Sequence, residues 1–216
     1  MPKTRSAKAP TARERLLSAA DELFYAEGVR TVGIDRIIEH AGVAKASLYN
    51  AFGGKEQLIR AYLDARSAAV TSRLLRAVDA AETPRERLLA VFEAQGELFA
   101  EEDYHGCAFV AASAEARHGS AIEEASDAYR AGIRALFTEL ARDAGTPDPE
   151  ELARRLHLLY DGGGLSARMD RDPSAAATAR AAASVLIDAA LPKPRPQRRA
   201  KTVKASSSAL AVNSPM

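Results

Sequence analysis

Residues 31–58 read TVGIDRIIEHAGVAKASLYNAFGGKEQL. Ile34, Ile37 and Ile38 recur at helical spacing, the chain breaks at Ala41-Gly42-Val43, and the pattern predicts a second short helix ending near Phe52. Two short helices joined by a tight turn containing glycine form a helix-turn-helix, a motif that lays its second helix in the major groove of DNA. Ile34, Ile37, Val43, Leu48 and Phe52 are its expected core. The hydrophilic start of the second helix, Ala44-Lys45-Ala46-Ser47, is the end that faces base edges when such a helix docks. Lys45 is the long cation there, suited to a guanine edge or a phosphate, and Ser47 can bond to either.

Outside this stretch the pattern is helical throughout. Thr11-Ala-Arg-Glu14 is a capping box before Leu16, Ala20, Leu23 and Phe24, and Gly28 is a natural stop. Thr83-Pro84-Arg85-Glu86 sets a cap, a first-turn proline and a box glutamate in order. Ser120 and Asp148-Pro149 open two further helices, and Asp172-Pro173 opens a last, alanine-rich one. A long fourth helix is expected from about Lys55 to Ala80. No period-2 run of β-branched residues occurs, so the fold class is all-α with about nine helices. Asp161-Gly162-Gly163-Gly164 lacks the Lys-Ser/Thr of a phosphate loop, and three glycines in a helical pattern mark a kink or a close helix crossing.

The net charge of +1 hides an asymmetry. Residues 1–10 carry Lys3, Arg5 and Lys8 and no acid; residues 192–216 carry Lys193, Arg195, Arg198, Arg199, Lys201 and Lys204 and no acid. All 29 acidic residues therefore lie in 11–191, against 21 basic ones. A body that repels phosphate between two basic ends confines DNA contact to one part of the molecule. The expected organisation is a basic disordered arm at 1–10 and a DNA-binding domain at 11–55. A helical effector-binding and dimerisation domain follows at 56–191, then a basic disordered tail at 192–216. The one cysteine, Cys107, excludes an internal disulfide framework and fits a cytoplasmic protein. MPKTRSAKAP is not followed by an apolar run, so no secretory signal is expected, and Arg180 and Asp188 interrupt the most apolar late stretch, so no membrane span is expected either.

The ordered set Thr31, Ile38, Ala41, Gly42, Val43, Leu48, Tyr49, Phe52, Lys55, Glu56 and Leu58 resembles the DNA-binding signature of the TetR family of bacterial transcriptional regulators. The resemblance implies phosphate contacts from Thr31, Tyr49 and Lys55, which hold register rather than read sequence. With Ala44, Lys45, Ala46, Ser47 and Asn50 these make up the expected DNA-binding set. Thr31 also suits a helix N-cap. Three positions depart from the family: Ala44 stands where Ser or Thr is usual, Ala46 where Gly is usual, and Ala51 where His is common. Gly54 replaces the usual serine cap of the fourth helix.

The resemblance further implies a homodimer built from the last two structured helices and a cavity that binds a small apolar effector. For the dimer seam the expected residues are Leu152, Leu156, Leu159, Val185 and Leu186, with alanines 175, 176, 179, 182 and 183 allowing close approach. For the cavity they are Phe92, Phe99, Cys107, Phe109, Tyr129, Phe137, His157 and Tyr160, since pockets combine aromatic walls with a few polar groups. His105-Gly106-Cys107 supplies two metal ligands without a third, so neither a metal nor a cofactor is expected. The expected function is a repressor released from a palindromic operator by that effector. A constitutive DNA-organising protein is the second reading, motivated by the basic tail. An enzyme is third, because no nucleophile elbow, metal-spaced ligand set or Walker loop is present.

Overall fold

Thr11 and Thr83 begin their helices in the same way. Each hydroxyl accepts the backbone N–H of a glutamate three residues on, and that glutamate's carboxylate accepts the threonine N–H. Hydrogen bonding to Thr11 and Thr83 holds Glu14 and Glu86 below the usual carboxylate range, so both boxes stay charged and closed at neutral pH. The computed structural model describes residues 9–192, so the expected disorder of 1–10 and 192–216 lies, but for residues 9, 10 and 192, outside the described residues.

Among these residues the chain forms α1 (Ala12–Glu27), α2 (Ile34–Ala41), α3 (Lys45–Phe52), α4 (Lys55–Ala80), α5 (Pro84–Phe99), α6 (Ala108–Glu115), α7 (Ala121–Asp143), α8 (Pro149–Asp170) and α9 (Ala175–Ala190), and no strand. Ser120 and Asp148 cap α7 and α8 through their side chains as their sequence positions predict. The last helix starts later than expected. The Asp172 carboxylate accepts from the Ser174 N–H and hydroxyl, forming a local turn, and the helix begins only at Ala175.

Helices α1–α3 form a small unit around Leu16, Ala20, Phe24, Ile37 and Leu48. Helix α4 runs from it into the body, packing on α5 and α7, while α7, α8, α9 and α5 pack successively against one another. Fully burying a side chain such as Leu16, Leu48 or Leu63 contributes about 1.5–3 kcal/mol. The core is continuous from Leu16 in the DNA-binding unit to Ile187 in α9, apart from a small satellite cluster at Phe99, Ala167 and Ala176.

The three glycines do not interrupt α8. They face three ways instead. A Cβ on Gly163 would lie 3.3 Å from that of Ala179, which marks the close crossing of α8 and α9. A Cβ on Gly164 would point at Gln95, Tyr104 and Phe99, and one on Gly162 would meet nothing within 4 Å.

Candidate functional site

Gly42 ends α2 in the left-handed conformation (φ 61°), which lets its N–H bond back to Ile38 and Glu39 and turns the chain into α3. The Arg15 guanidinium reaches the Gly42 carbonyl at 3.4 Å, and Arg13 lies 4.9 Å over the Phe52 ring, so α1 steadies both ends of α3. Leu48 and Phe52 point inward, and Lys45, Ala46, Tyr49 and Asn50 line the opposite, exposed face. Tyr49 is 46% exposed, a large apolar ring left in solvent at the end of the molecule. Ala44 takes the N-cap position without any side-chain bond; the Ser47 N–H bonds back to the Ala44 carbonyl, which leaves the Lys45 and Ala46 amides to meet an anion.

Lys45 is not idle. Its ammonium sits 2.9 Å from Asp35 Oδ1, in the first turn of α2, and this bond raises its pKa. Ser47 is half-buried. Thr31 is exposed in the turn before α2, but the N-cap is Gly33, so Thr31 is not the cap that the sequence permitted. Lys55, at the start of α4, donates to the Arg30 carbonyl at 3.3 Å, and partial burial lowers its pKa. Thr31 and Lys55 thus flank the same turn. Asp35, Arg13 and Arg15 were not singled out from the sequence, because their roles depend on which helices cross.

In the body, Phe92 packs on Phe137 (centroids 5.7 Å apart), Phe137 meets Tyr160 edge-on (6.1 Å), and Phe109 stacks on Tyr129 (3.7 Å). The Tyr129 and Tyr160 hydroxyls lie 3.4 Å apart. Buried His157 faces Asp161 at 3.7 Å, and Asp161 pairs with Arg130 at 2.8 Å. Five of the eight proposed pocket residues, Phe92, Phe109, Tyr129, Phe137 and Tyr160, therefore come together in one packed core, with Cys107 against it, while His157 is buried beside Asp161. Phe99 does not belong to it: it lies in the satellite cluster against Tyr104. Cys107 borders a cavity of about 20 Å³ shared with Tyr25, Tyr62 and His105. Burial pushes its thiol pKa up, which disfavours a reactive thiolate. No cluster of metal-ligating side chains occurs among the described residues, and no helix there is long and apolar enough to cross a membrane.

Part of the expected dimer seam needs correction: Val185 and Ala182 are exposed and Leu159, Leu186 and Ala175 are half-buried, but the others are not available. Leu152, Leu156, Ala176, Ala179 and Ala183 are buried inside the monomer. The apolar side chains exposed on α8 are Leu158, Leu165 and Met169, with Val185 on α9 and Gly162 between Leu158 and Leu165.

A groove-sized helix presented by a glycine turn, with a long helix leading from it into an all-α body, defines a helix-turn-helix DNA-binding transcriptional regulator. The chain belongs to the TetR family of bacterial regulatory proteins: that family's description matches residues 16–62, and that of the BetI-type transcriptional repressor C-terminal domain matches residues 84–215. Among curated relatives, the transcriptional activator FasR of Mycolicibacterium smegmatis is 31% identical over 133 residues, 62% of this chain and 60% of FasR. The repressor NemR of Escherichia coli is 28% identical over 169 residues, 74% of this chain and 85% of NemR. A TetR-family regulator from Streptomyces coelicolor superposes with a TM-score of 0.79 at 31% identity, covering 83% of this chain and 95% of that one. One from Streptomyces avermitilis gives 0.75 at 34%, covering 84% and 98%.

Proposed function

We propose that the protein is a dimeric repressor that leaves a palindromic operator when a small apolar effector binds its body. Residues 11–55 form the reading head and 56–191 the sensing and dimerising body. Lys45 reads a base edge, Ala44, Ala46, Ser47 and Asn50 line the groove-facing side, and Thr31, Tyr49 and Lys55 hold phosphates. The observation that carries this reading is the outward face of α3, where Lys45 and Tyr49 stand exposed over a buried Leu48.

One head meets only a half-site, so operator recognition needs two heads related by a two-fold axis. The unpartnered stripe of Leu158, Leu165 and Met169 on α8, continued by Val185 on α9, supports a second copy docking there, and Gly162 lets the two helices approach. A DNA operator as partner puts the working protein in the cytoplasm, and no catalytic role is proposed.

Two struts link body and head. Helix α4 is the first. The second is α6: Tyr25 of α1 bonds the segment before it, and Glu115 at its end accepts the Arg30 N–H at 2.8 Å. An effector acts through these only by binding the DNA-incompetent form more tightly. The test is selection of genomic fragments by the purified full-length protein, followed by footprinting and release with apolar compounds. Protection of a two-fold symmetric site that a compound releases is expected. Salt-sensitive binding without sequence preference or release would instead establish the DNA-organising reading, and gene expression that falls on deletion of the regulator would make it an activator.

A further inference from the structure

The satellite cluster of Phe99, Ala167 and Ala176 lies where the end of α5, the 100–107 segment, α8 and the start of α9 meet. Its walls are closely set. A Cβ on Gly96 would come within 3.1 Å of Ala176, and one on Gly163 within 3.3 Å of Ala179. Gly164 differs. A Cβ there would meet Gln95 Nε2 at 3.6 Å, the Tyr104 hydroxyl at 3.8 Å and Phe99 Cζ at 4.0 Å, all ordinary contacts, so room for a methyl group is open.

Gln95 borders that room and is only 5% exposed. Its Nε2 donates to the Tyr160 carbonyl at 2.8 Å. Its Oε1, 3.5 Å from the Cβ position of Gly163, has no hydrogen-bond partner, alone among the buried side-chain oxygens and nitrogens of the described residues. A buried amide oxygen without a donor is costly, and a molecule that supplies the donor recovers that cost. Tyr104 already fills the space beside Gly164. Its ring lies 5.0 Å from Phe99 and its hydroxyl donates to the Gly164 carbonyl at 3.2 Å, leaving Gln95 Oε1 unserved.

We propose that this crevice is a subsite for a small neutral phenol, whose ring replaces Tyr104 against Phe99 and whose hydroxyl donates to Gln95 Oε1. The proposal rests on the reading of the body as an effector domain. The ligand is neutral because the lining, Gln95, Phe99, Tyr104, Gly163, Gly164 and Ala176, carries no charge, and Arg168, whose charge reaches Tyr104, is itself exposed to solvent. Occupancy reaches the reading head by a short route. Tyr104 is followed at once by His105 and Gly106, whose backbone holds the Tyr25 hydroxyl of α1. Gly106 has a φ of +98°, and a Cβ on it would lie 3.1 Å from Arg168 carbons, so this segment also lies closely against α8.

The experiment titrates full-length protein with 2-naphthol and with 2-methoxynaphthalene, its donor-free ether, by calorimetry and thermal shift. Wild type is expected to bind the naphthol about tenfold more tightly, the effect of one hydrogen bond to an otherwise unsatisfied group. Gln95→Leu, or the near-isosteric Gln95→Met should the leucine fail to fold, is expected to bind both probes alike. Gly164→Ala fills the methyl-sized room and is expected to melt higher, as glycine-to-alanine changes in helices do, while losing at least tenfold in naphthol affinity. Equal binding of the two probes by wild type, a preference that survives in Gln95→Leu, or no binding of either probe overturns the subsite. Operator release is read separately. Naphthol binding that follows these variants without release upholds the subsite and removes phenols as inducers, whereas naphthol-driven release untouched by both substitutions overturns the subsite and leaves the repressor reading standing.

Discussion

The Tyr25 hydroxyl of α1 donates to the Gly106 carbonyl at 3.0 Å and accepts the neighbouring His105 N–H at 3.1 Å, so one side chain of the reading head is tied to the backbone of the body. The Arg66 guanidinium covers the Tyr25 ring at 3.6 Å and is itself held by the Asp21 carboxylate at 2.6 and 2.9 Å. Tyr25→Phe keeps the ring and its stacking but removes both hydrogen bonds. It should cost about 1–2 kcal/mol in urea unfolding. Operator affinity without effector should change little, while effector-driven release weakens, since the α6 strut then holds to the head only through Glu115 and Arg30.

At the reading face, Lys45 must give up Asp35 to reach DNA. Lys45→Ala should weaken operator binding about tenfold or more, concentrated at one symmetric position. Asp35→Asn frees the ammonium and removes a negative charge facing phosphate, so it should tighten operator and random DNA alike. Tyr49→Phe should weaken all sequences similarly. Binding curves on an operator and its single-base variants check all three.

Leu165 is 55% exposed in the monomer. Leu165→Asp should therefore leave monomer stability within about 0.5 kcal/mol. Buried in a dimer, the same carboxylate is unpaired, so sedimentation should show monomers and operator affinity should fall by about tenfold or more.

The six cations of residues 192–216 meet no acid in their own segment. Full engagement with duplex DNA would add about five units to the slope of log affinity against log salt, at roughly 0.9 per phosphate contact. Truncation after Leu191 should lower that slope on operator and random duplexes equally and preserve the specificity ratio. Unchanged slopes would make the tail a solvated terminus.

Burial lowers the His157 pKa below 6.5, against the opposing pull of Asp161 and with the repulsion of Arg130 and Arg134. The unfolded chain thus binds more protons than the folded one just below pH 6.5, so this group's stabilising effect is present above that pH and is lost as pH falls. His157→Gln should flatten the decline of urea midpoints between pH 7 and the folded-state pKa.

Much of the architecture was readable because it is set by neighbours in the chain. The boxes at Thr11 and Thr83, the caps at Ser120 and Asp148, and the turn at Gly42 are each made by groups within a few residues. The reading face followed too, since Leu48 and Phe52 fix which side of an eight-residue helix is inward. The dimer seam was misread in part, for a physical reason. Helix α8 carries leucines at 152, 156, 158, 159 and 165, and the period shows faces without saying which one the monomer covers. Packing against α7 and α9 covers Leu152 and Leu156 and leaves Leu158 and Leu165 outside.

By itself, then, the sequence determined the all-α class, most helix starts and the helix-turn-helix, because capping, turn formation and helical periodicity act over one to four residues. Only the tertiary structure decided that Asp35 holds Lys45, that Tyr25 and Glu115 bind head to body, that Phe99 lies apart from the aromatic core, and that Gln95 Oε1 is left without a donor. The ties made by Tyr25 and Glu115 join groups tens of residues apart in the chain. All depend on how the helices cross, and that is fixed by the packing of whole side-chain surfaces rather than by any local pattern.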